Sequence, residues 1–267
     1  MNKLAYQEPH ESLNNRISAH SRFSDFDLHQ WISSNFDIKQ GDNIFDVGCG
    51  NGNYIELFLD KIKEDGSIYG VDKNEDLINE ASAKYGKYDN VYFDVGDYDS
   101  IKDVNKTFDW IFSVYSLYYT SDSNALIEKL KNLLSPGGKL IVIGPASNNA
   151  IDLGDLNFKI TDAVFPIEHK HRTERVEAEF FPLFQEMFGK DNTKLELVDS
   201  VMTFPSIDDF TTYYWSTLLW RESVANFDLD RVNSLQSKAI EILSSYDNYT
   251  IKKQMSCLVG VNSEILK

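Results

Sequence analysis

At 267 residues, the chain is long enough for one large domain or a domain with a sizeable insertion, and 42 acidic against 26 basic side chains give it a net charge of −16. A surface that negative repels phosphate backbones, which argues against a nucleic-acid partner and for a small molecule. Cys49 and Cys257 make no disulfide framework, no Cys/His spacing suggests a metal site, and neither a signal-peptide core nor an apolar run of ~18 residues is present, so a cytoplasmic protein off the membrane is expected.

Residues 1–40 read as helical. Leu28, Trp31, Ile32 and Phe36 recur at helical spacing, Arg16, His20, Arg22 and Phe23 lie upstream, and Lys39–Asp42 turns the chain into a first strand. Ile44, Phe45 and Val47 form a short apolar run suited to a strand buried on both faces. Gly48, Gly50 and Gly52 follow, then Ile55, Phe58, Leu59 and Ile62 at i, i+3, i+4 and i+7. Strand, glycine turn and helix open a nucleotide-binding βαβ unit, in which a Cβ would keep the ligand off the backbone.

The spacing selects the ligand. Dinucleotide sites space their glycines G-x-G-x-x-G, whereas here the order is G-x-G-x-G, with Asn53 at the next position. Asp46 stands two residues before the first glycine, where a carboxylate repels a pyrophosphate and attracts a cation. No Lys or Arg lies between Lys39 and Lys61, and no G-K-[ST] follows to make a P-loop. The turn suits a nucleoside with a positive end, and S-adenosylmethionine (SAM) has one. Further on, Ser67–Asp72 reads as a second strand whose terminal Asp72, 20 residues past Gly52, is placed to accept from both ribose hydroxyls; capping the next helix is the plainer role for it.

On Asp46 to Gly52 the sequence resembles the class I SAM-dependent methyltransferases, whose first motif reads Asp/Glu-x-Gly-x-Gly-x-Gly. The likeness continues through Asp72, through Gly96-Asp97-Tyr98 after a third strand (Val91 to Val95), through Phe108 to Val114 as a fourth, and through Leu-Leu-Ser-Pro-Gly-Gly-Lys-Leu leading into a fifth, Lys139 to Ile143. It covers about residues 40 to 145. The resemblance implies an α/β fold: a doubly wound, mostly parallel seven-stranded sheet with an antiparallel last strand, helices on both faces and a helical cap. It divides the single domain (1–267) into an N-terminal helical cap (1–40), a SAM-binding core (41–145), an insertion over the acceptor site (146–194) and a C-terminal part of the sheet and helices (195–267).

It also implies roles. Gly48, Gly50 and Gly52 seat the methionine part of SAM and Asp46 answers its ammonium. Asp72 takes the ribose with Lys73 alongside the adenosine, and Asp97 and Tyr98 take the adenine. Arg22 or Arg16 is a candidate partner for the methionine carboxylate. Tyr115 and Tyr118, just past the fourth strand, are candidates to line the methyl-transfer site, with plain aromatic packing as the equal alternative. His169 and His171, ahead of a helix over Val176 to Phe188 that Pro182 should bend or split, are candidate general bases or ordinary surface histidines. A further helix carries Phe210, Tyr213, Tyr214, Trp215 and Trp220, more aromatic surface than one core-facing stripe needs, and Gln254 to Val261 is the expected last strand. Transfer from a sulfonium to a small-molecule N, O or C acceptor is the activity implied, with a non-catalytic SAM-binding protein or a protein methyltransferase as alternatives.

Overall fold

The computed structural model describes residues 10–97, 106–162 and 167–263, the side chains at 10 and 167–170 excepted. Two helices come first, α1 (His10–Phe23) and α2 (Leu28–Asn35). Asp27 starts the second by accepting from the Gln30 amide. Strands and helices then alternate as β1 (Asn43–Val47), α3 (Ile55–Ile62), β2 (Ser67–Asp72), α4 (Glu75–Tyr85), β3 (Val91–Val95), β4 (Phe108–Val114), α5 (Ser123–Asn132) and β5 (Leu134–Pro145). Beyond β5 lie α6 (Ile151–Thr161), α7 (Ile167–Arg175), a π turn (Val176–Phe180) and α8 (Phe181–Phe188). The chain closes with β6 (Thr193–Phe204), α9 (Ile207–Ser216), α10 (Leu218–Val224), α11 (Leu229–Leu243) and β7 (Tyr249–Val261).

Among the described residues the sheet has seven strands in the order β3-β2-β1-β4-β5-β7-β6. Its pairs from β3 across to β5 are parallel, and β7 runs antiparallel to both of its neighbours, β5 and β6. This is the fold class the resemblance implies. The strand order reverses between β1 and β4, and a crevice at the carboxyl ends of the strands follows from that reversal. No described helix is long and apolar enough to cross a membrane.

Alternation along β1 supplies two cores. Ile44 joins Phe58, Ile62 and Phe112 on one face, while Phe45 and Val47 join Leu126, Leu130, Phe184 and Phe188 on the other. A third apolar cluster lies beyond the sheet, where Leu153, Ile160, Phe210, Tyr214, Trp220 and Leu243 pack with Met202, Phe204 and Ile251. Those last three belong to an overhang: β7 pairs with β5 only from Met255 on, but with β6 from Tyr249.

Several boundaries depart from the sequence reading, each for a long-range reason. The last strand begins at Tyr249 rather than Gln254, because β6 offers it a partner where β5 has ended. Ser135–Gly138 belongs to β5 instead of forming a turn, since Asn262 draws it in: its carbonyl accepts from the Gly137 amide at 2.7 Å and its side chain donates to Leu134 at 3.1 Å. The aromatic helix is two helices, with Thr217 turning the chain and capping α10 through the Trp220 amide. Pro182 falls in the first turn of α8, where its missing N–H costs nothing, and the π turn precedes it.

Gly260 tests how tightly the β7 face is packed. A Cβ there would come within 2.7 Å of Phe188 and 2.8 Å of Phe184. Gly260→Ala is expected to lower stability by about 1–3 kcal/mol in urea denaturation, the usual cost of overfilling a core. An unchanged midpoint would show that α8 yields freely.

Candidate active site

A cavity of about 760 Å³ opens over the carboxyl ends of the strands, within the roughly 300–1,000 Å³ of small-molecule sites. Residues at or just after the ends of β1 through β5 line it, among them Asp46, Asp72, Asp97, Tyr115 and Pro145. It divides into an acidic end at the glycine turn and a far end under the helices.

At the acidic end all three glycines carry positive φ, Gly48 at 77°, Gly50 at 55° and Gly52 at 79°, which side chains rarely adopt. The turn is strapped to β2: the amides of Gly48 and Cys49 donate to the Val71 carbonyl at 2.7 and 3.0 Å. The Gly50 amide donates to one oxygen of Asp72 at 2.9 Å, and the Asn74 amide donates to the other at 2.9 Å. Asn74, not Asp72, caps α4. Asp72 is left facing the cavity, partly buried, its carboxyl pushed above the usual range by desolvation against those hydrogen bonds.

Asp46 is 1% exposed, and its Oδ2 has no hydrogen-bond partner among the described residues. Burial first, and the neighbouring Asp72 charge second, push its carboxyl up to about 7. An orphaned buried carboxylate facing a cavity calls for a cation or a hydrogen-bond donor. Lys73 and Asp97 are exposed and stand among the cavity's lining residues. Tyr98 lies outside the described residues.

Tyr115 separates the two ends. Its φ of 54° is unusual for a side chain this large and bends the chain at the end of β4, while its amide still donates to the Ile143 carbonyl at 2.7 Å. Tyr115 lines the cavity together with Tyr54 beside the glycine turn and Tyr213 on α9. Tyr118 follows in a short 3₁₀ turn, Leu117–Tyr119. Burial raises the phenol pKa of Tyr118, whereas Tyr115 is 41% exposed; both phenols are protonated at neutral pH and able to donate.

At the far end α1 presents Leu13, Arg16, Ile17, His20 and Ser21 to the cavity, a helical stripe at i, i+3, i+4, i+7 and i+8, and Ser24 follows just past its end. Arg22 is off that stripe: its guanidinium lies 4.6 Å over the Phe23 ring and 3.8 Å from Asp209, largely exposed, and it does not line the cavity. Arg16 does, donating to the Ser216 carbonyl at 2.9 Å. His20 meets Tyr213 edge-on at 5.9 Å, and burial, then Lys253 and Arg16, hold its imidazole neutral down to about 3.

Of the two predicted histidines of the insertion, only the side chain of His171 is described, and it is not brought to the site. His171 is exposed and outside the cavity lining, and the side chain at 169 lies outside the described residues. Their neighbours are structural: Arg172 reaches Glu222 at 2.5 Å, and Arg175 reaches Glu179 at 2.7 Å. Of the aromatic residues on α9 and α10, Tyr213 lines the cavity while Phe210, Tyr214 and Trp220 fill the third core.

Sequence reading missed His20 as a cavity residue and missed Lys253 altogether. The stripe on α1 was readable from its spacing. Lys253 was not, because it enters on the part of β7 that overruns β5.

The model of a methyltransferase domain matches residues 38–192, more than half of the chain. A protein of Invertebrate iridescent virus 6 named methyltransferase 235L is 24% identical over 93% of this chain and 88% of its own length. A demethylmenaquinone methyltransferase of Staphylococcus epidermidis is 20% identical over 74% of this chain and 75% of its own. The fold is similar to that of a SAM-dependent methyltransferase from Geobacter sulfurreducens solved with S-adenosyl-L-homocysteine (SAH), at 17% identity, with a TM-score of 0.52 over 94% of this chain and 98% of that one. With the sheet order and the glycine turn beneath them, these matches identify the chain as a member of the class I, Rossmann-like methyltransferase family.

Proposed function

We propose that the protein transfers the methyl group of SAM to a small-molecule N, O or C acceptor by in-line displacement. One observation carries this reading: a fully buried carboxylate with an unpartnered oxygen, set under three positive-φ glycines and facing the cavity. Those features fit the positive end of SAM and fit a diphosphate poorly. When bound, SAM supplies a methyl group on a cationic sulfur whose departure leaves a neutral thioether, so the driving force is the cofactor's own.

The chain's residues bind, orient and keep water out. Asp46 would hold the ammonium, and Gly48, Gly50 and Gly52 let the backbone approach the methionine part. Asp72 would take the ribose through the lone pairs its backbone hydrogen bonds leave free. Asp97, with Lys73 beside it, stands where the adenosine end would lie, and Tyr98 completes that role from outside the described residues. Tyr115 and Tyr118, held protonated, offer hydrogen bonds to an acceptor oxygen or nitrogen between the two ends. The cap of α1, α6, α9 and α10 over a 760 Å³ space supports a small acceptor over a protein chain, as does the relative named for demethylmenaquinone.

Thermal shift separates this reading from a nucleotide-redox one. SAM and SAH are expected to raise the melting temperature, by about 2.7 kcal/mol of added stability at a hundredfold excess over Kd, while NAD and NADP leave it unchanged. Stabilisation by NAD alone would end the proposal. Asp72→Ala should weaken SAH binding at least tenfold by calorimetry; an unchanged affinity would remove Asp72 from the site.

Asp46 gives a prediction with two signs. Its carboxyl ionises near 3.8 in the unfolded chain and near 7 in the fold, so above pH 7 the fold carries a penalty that fades as pH falls toward 4. Asp46→Asn should therefore stabilise the ligand-free protein at pH 8, by on the order of 2–4 kcal/mol, and do little at pH 4. The same change should weaken SAM, and wild-type affinity should decline below pH 7 as Asp46 protonates. A variant that loses stability at pH 8, or binds SAM unchanged, would show that Asp46 has a partner of its own.

A further inference from the structure

The far end of the cavity departs in charge from the rest of this strongly acidic chain. Lys253 enters it from the β7 overhang, partly buried, its ammonium 3.2 Å from the Tyr213 hydroxyl and 5.9 Å from that ring's centre. It makes no ion pair with any described residue. Arg16 stands on the other side of His20 and donates to a neutral carbonyl, that of Ser216. Both cations act on the His20 imidazole and lower its proton affinity.

Other charges at this wall are already engaged. Arg172 is matched by Glu222 at 2.5 Å. Asp25 spends a carboxylate oxygen on the Val201 amide at 2.8 Å, which ties the connection after α1 to the edge of β6. A cation drawn part-way out of water without a counter-ion favours an anion that completes it. Around Lys253 and Arg16 the lining is apolar and aromatic, with Ile17, Leu153, Leu219, Met255 and the rings of Tyr115 and Tyr213. That combination matches an apolar body with one negative group.

We infer that the acceptor chamber binds a small organic anion, its carboxylate-type group received by Lys253 with Arg16 in support and its apolar body lying toward Tyr115. The inference rests on the reading above for which end takes the donor. It sets the acceptor's orientation: the charged group is anchored at the far wall, and the atom to be methylated is the one that reaches back past Tyr115. Opposite charges at the two ends also sort the ligands, since a cationic donor is repelled from the Lys253 wall and an anionic acceptor from Asp46 and Asp72.

The test is an isosteric pair, 2-naphthoate and 2-naphthamide, titrated by saturation-transfer NMR into the protein with and without saturating SAH. The carboxylate is expected to bind about tenfold tighter than the amide, about 1.4 kcal/mol. Lys253→Met should cut that ratio to about twofold, while Lys252→Met, exposed on the same strand and off the cavity lining, leaves it intact. SAH affinity by calorimetry should be the same in both variants, which shows that each is folded at the donor end. Equal affinity for the two probes, binding of neither, or a ratio that survives Lys253→Met would overturn the inference. If SAH itself fails to bind the wild-type protein while the carboxylate preference holds, the methyl-transfer reading fails and the anion site stands.

Discussion

A single uncompensated charge governs how this molecule is built. Asp46 sits at the end of a strand buried on both faces, and a carboxylate there loses its water without gaining a full set of donors. Everything around it keeps that debt open. The glycine turn above it directs the Gly48 and Cys49 amides to the Val71 carbonyl and the Gly50 amide to Asp72, and none of these three reaches Asp46. A second carboxylate, Asp72, then raises the cost of ionising the first. A fold selected for stability alone would have put a hydrophobe or a partnered polar group there, since a buried ion with no partner is among the costlier features a core can hold. The arrangement makes sense when the missing partner comes with a ligand.

The cavity continues the same electrostatic logic outward. Acids collect where the parallel strands end, and cations stand on elements that arrive from elsewhere, Arg16 on α1 and Lys253 on β7. Tyr115 lies between them in a backbone conformation that costs about 1–2 kcal/mol for a side chain of its kind. That strain is tolerated because the Tyr115 amide still pairs with the Ile143 carbonyl of β5. A phenol at that point separates two fields of opposite sign and is itself neutral.

How much of this the sequence disclosed depends on how far apart in the chain the parts lie. The glycine turn, Asp46 and Asp72 were legible because strand, turn and helix are local, and their residue types are forced by backbone approach and charge. The mostly parallel seven-stranded sheet with its antiparallel last strand came from the family resemblance that those local motifs carry, and the order of its strands came only with the structure. The choice between Arg16 and Arg22 was not legible: six residues on a helix turn a side chain to another face, and only the docking of α1 decides which face meets the cavity. Lys253 was further out of reach. Its position depends on β7 continuing along β6 after β5 has stopped, a register fact with no signature in the composition of residues 249 to 254.

The segment after β5 is fixed to the rest of the fold through two buried guanidiniums, Arg172 and Arg175. Arg175, 5% exposed, donates to the carbonyls of Tyr118 and Thr120 at 2.7 Å and to Ser123 at 2.7 Å, and pairs with Glu179 one π turn on. The hydrogen bonds to Arg175 keep the Glu179 carboxyl below its ordinary range, so the pair stays charged at neutral pH. Arg172, one turn earlier, pins α7 to Glu222 on α10. The guanidiniums are buried while the Glu179 and Glu222 side chains are partly exposed, so loss of either carboxylate leaves a buried cation short of its partner. The segment is therefore stapled both to the turn that carries Tyr118 and to the helices over the far wall. Ser123 meets both Arg175 and Glu179, and across the π turn Val176 and Phe180 stay in the core. Held this way, α7 links the position of α10, through Arg172 and Arg175, to the backbone of Tyr118 on the cavity wall.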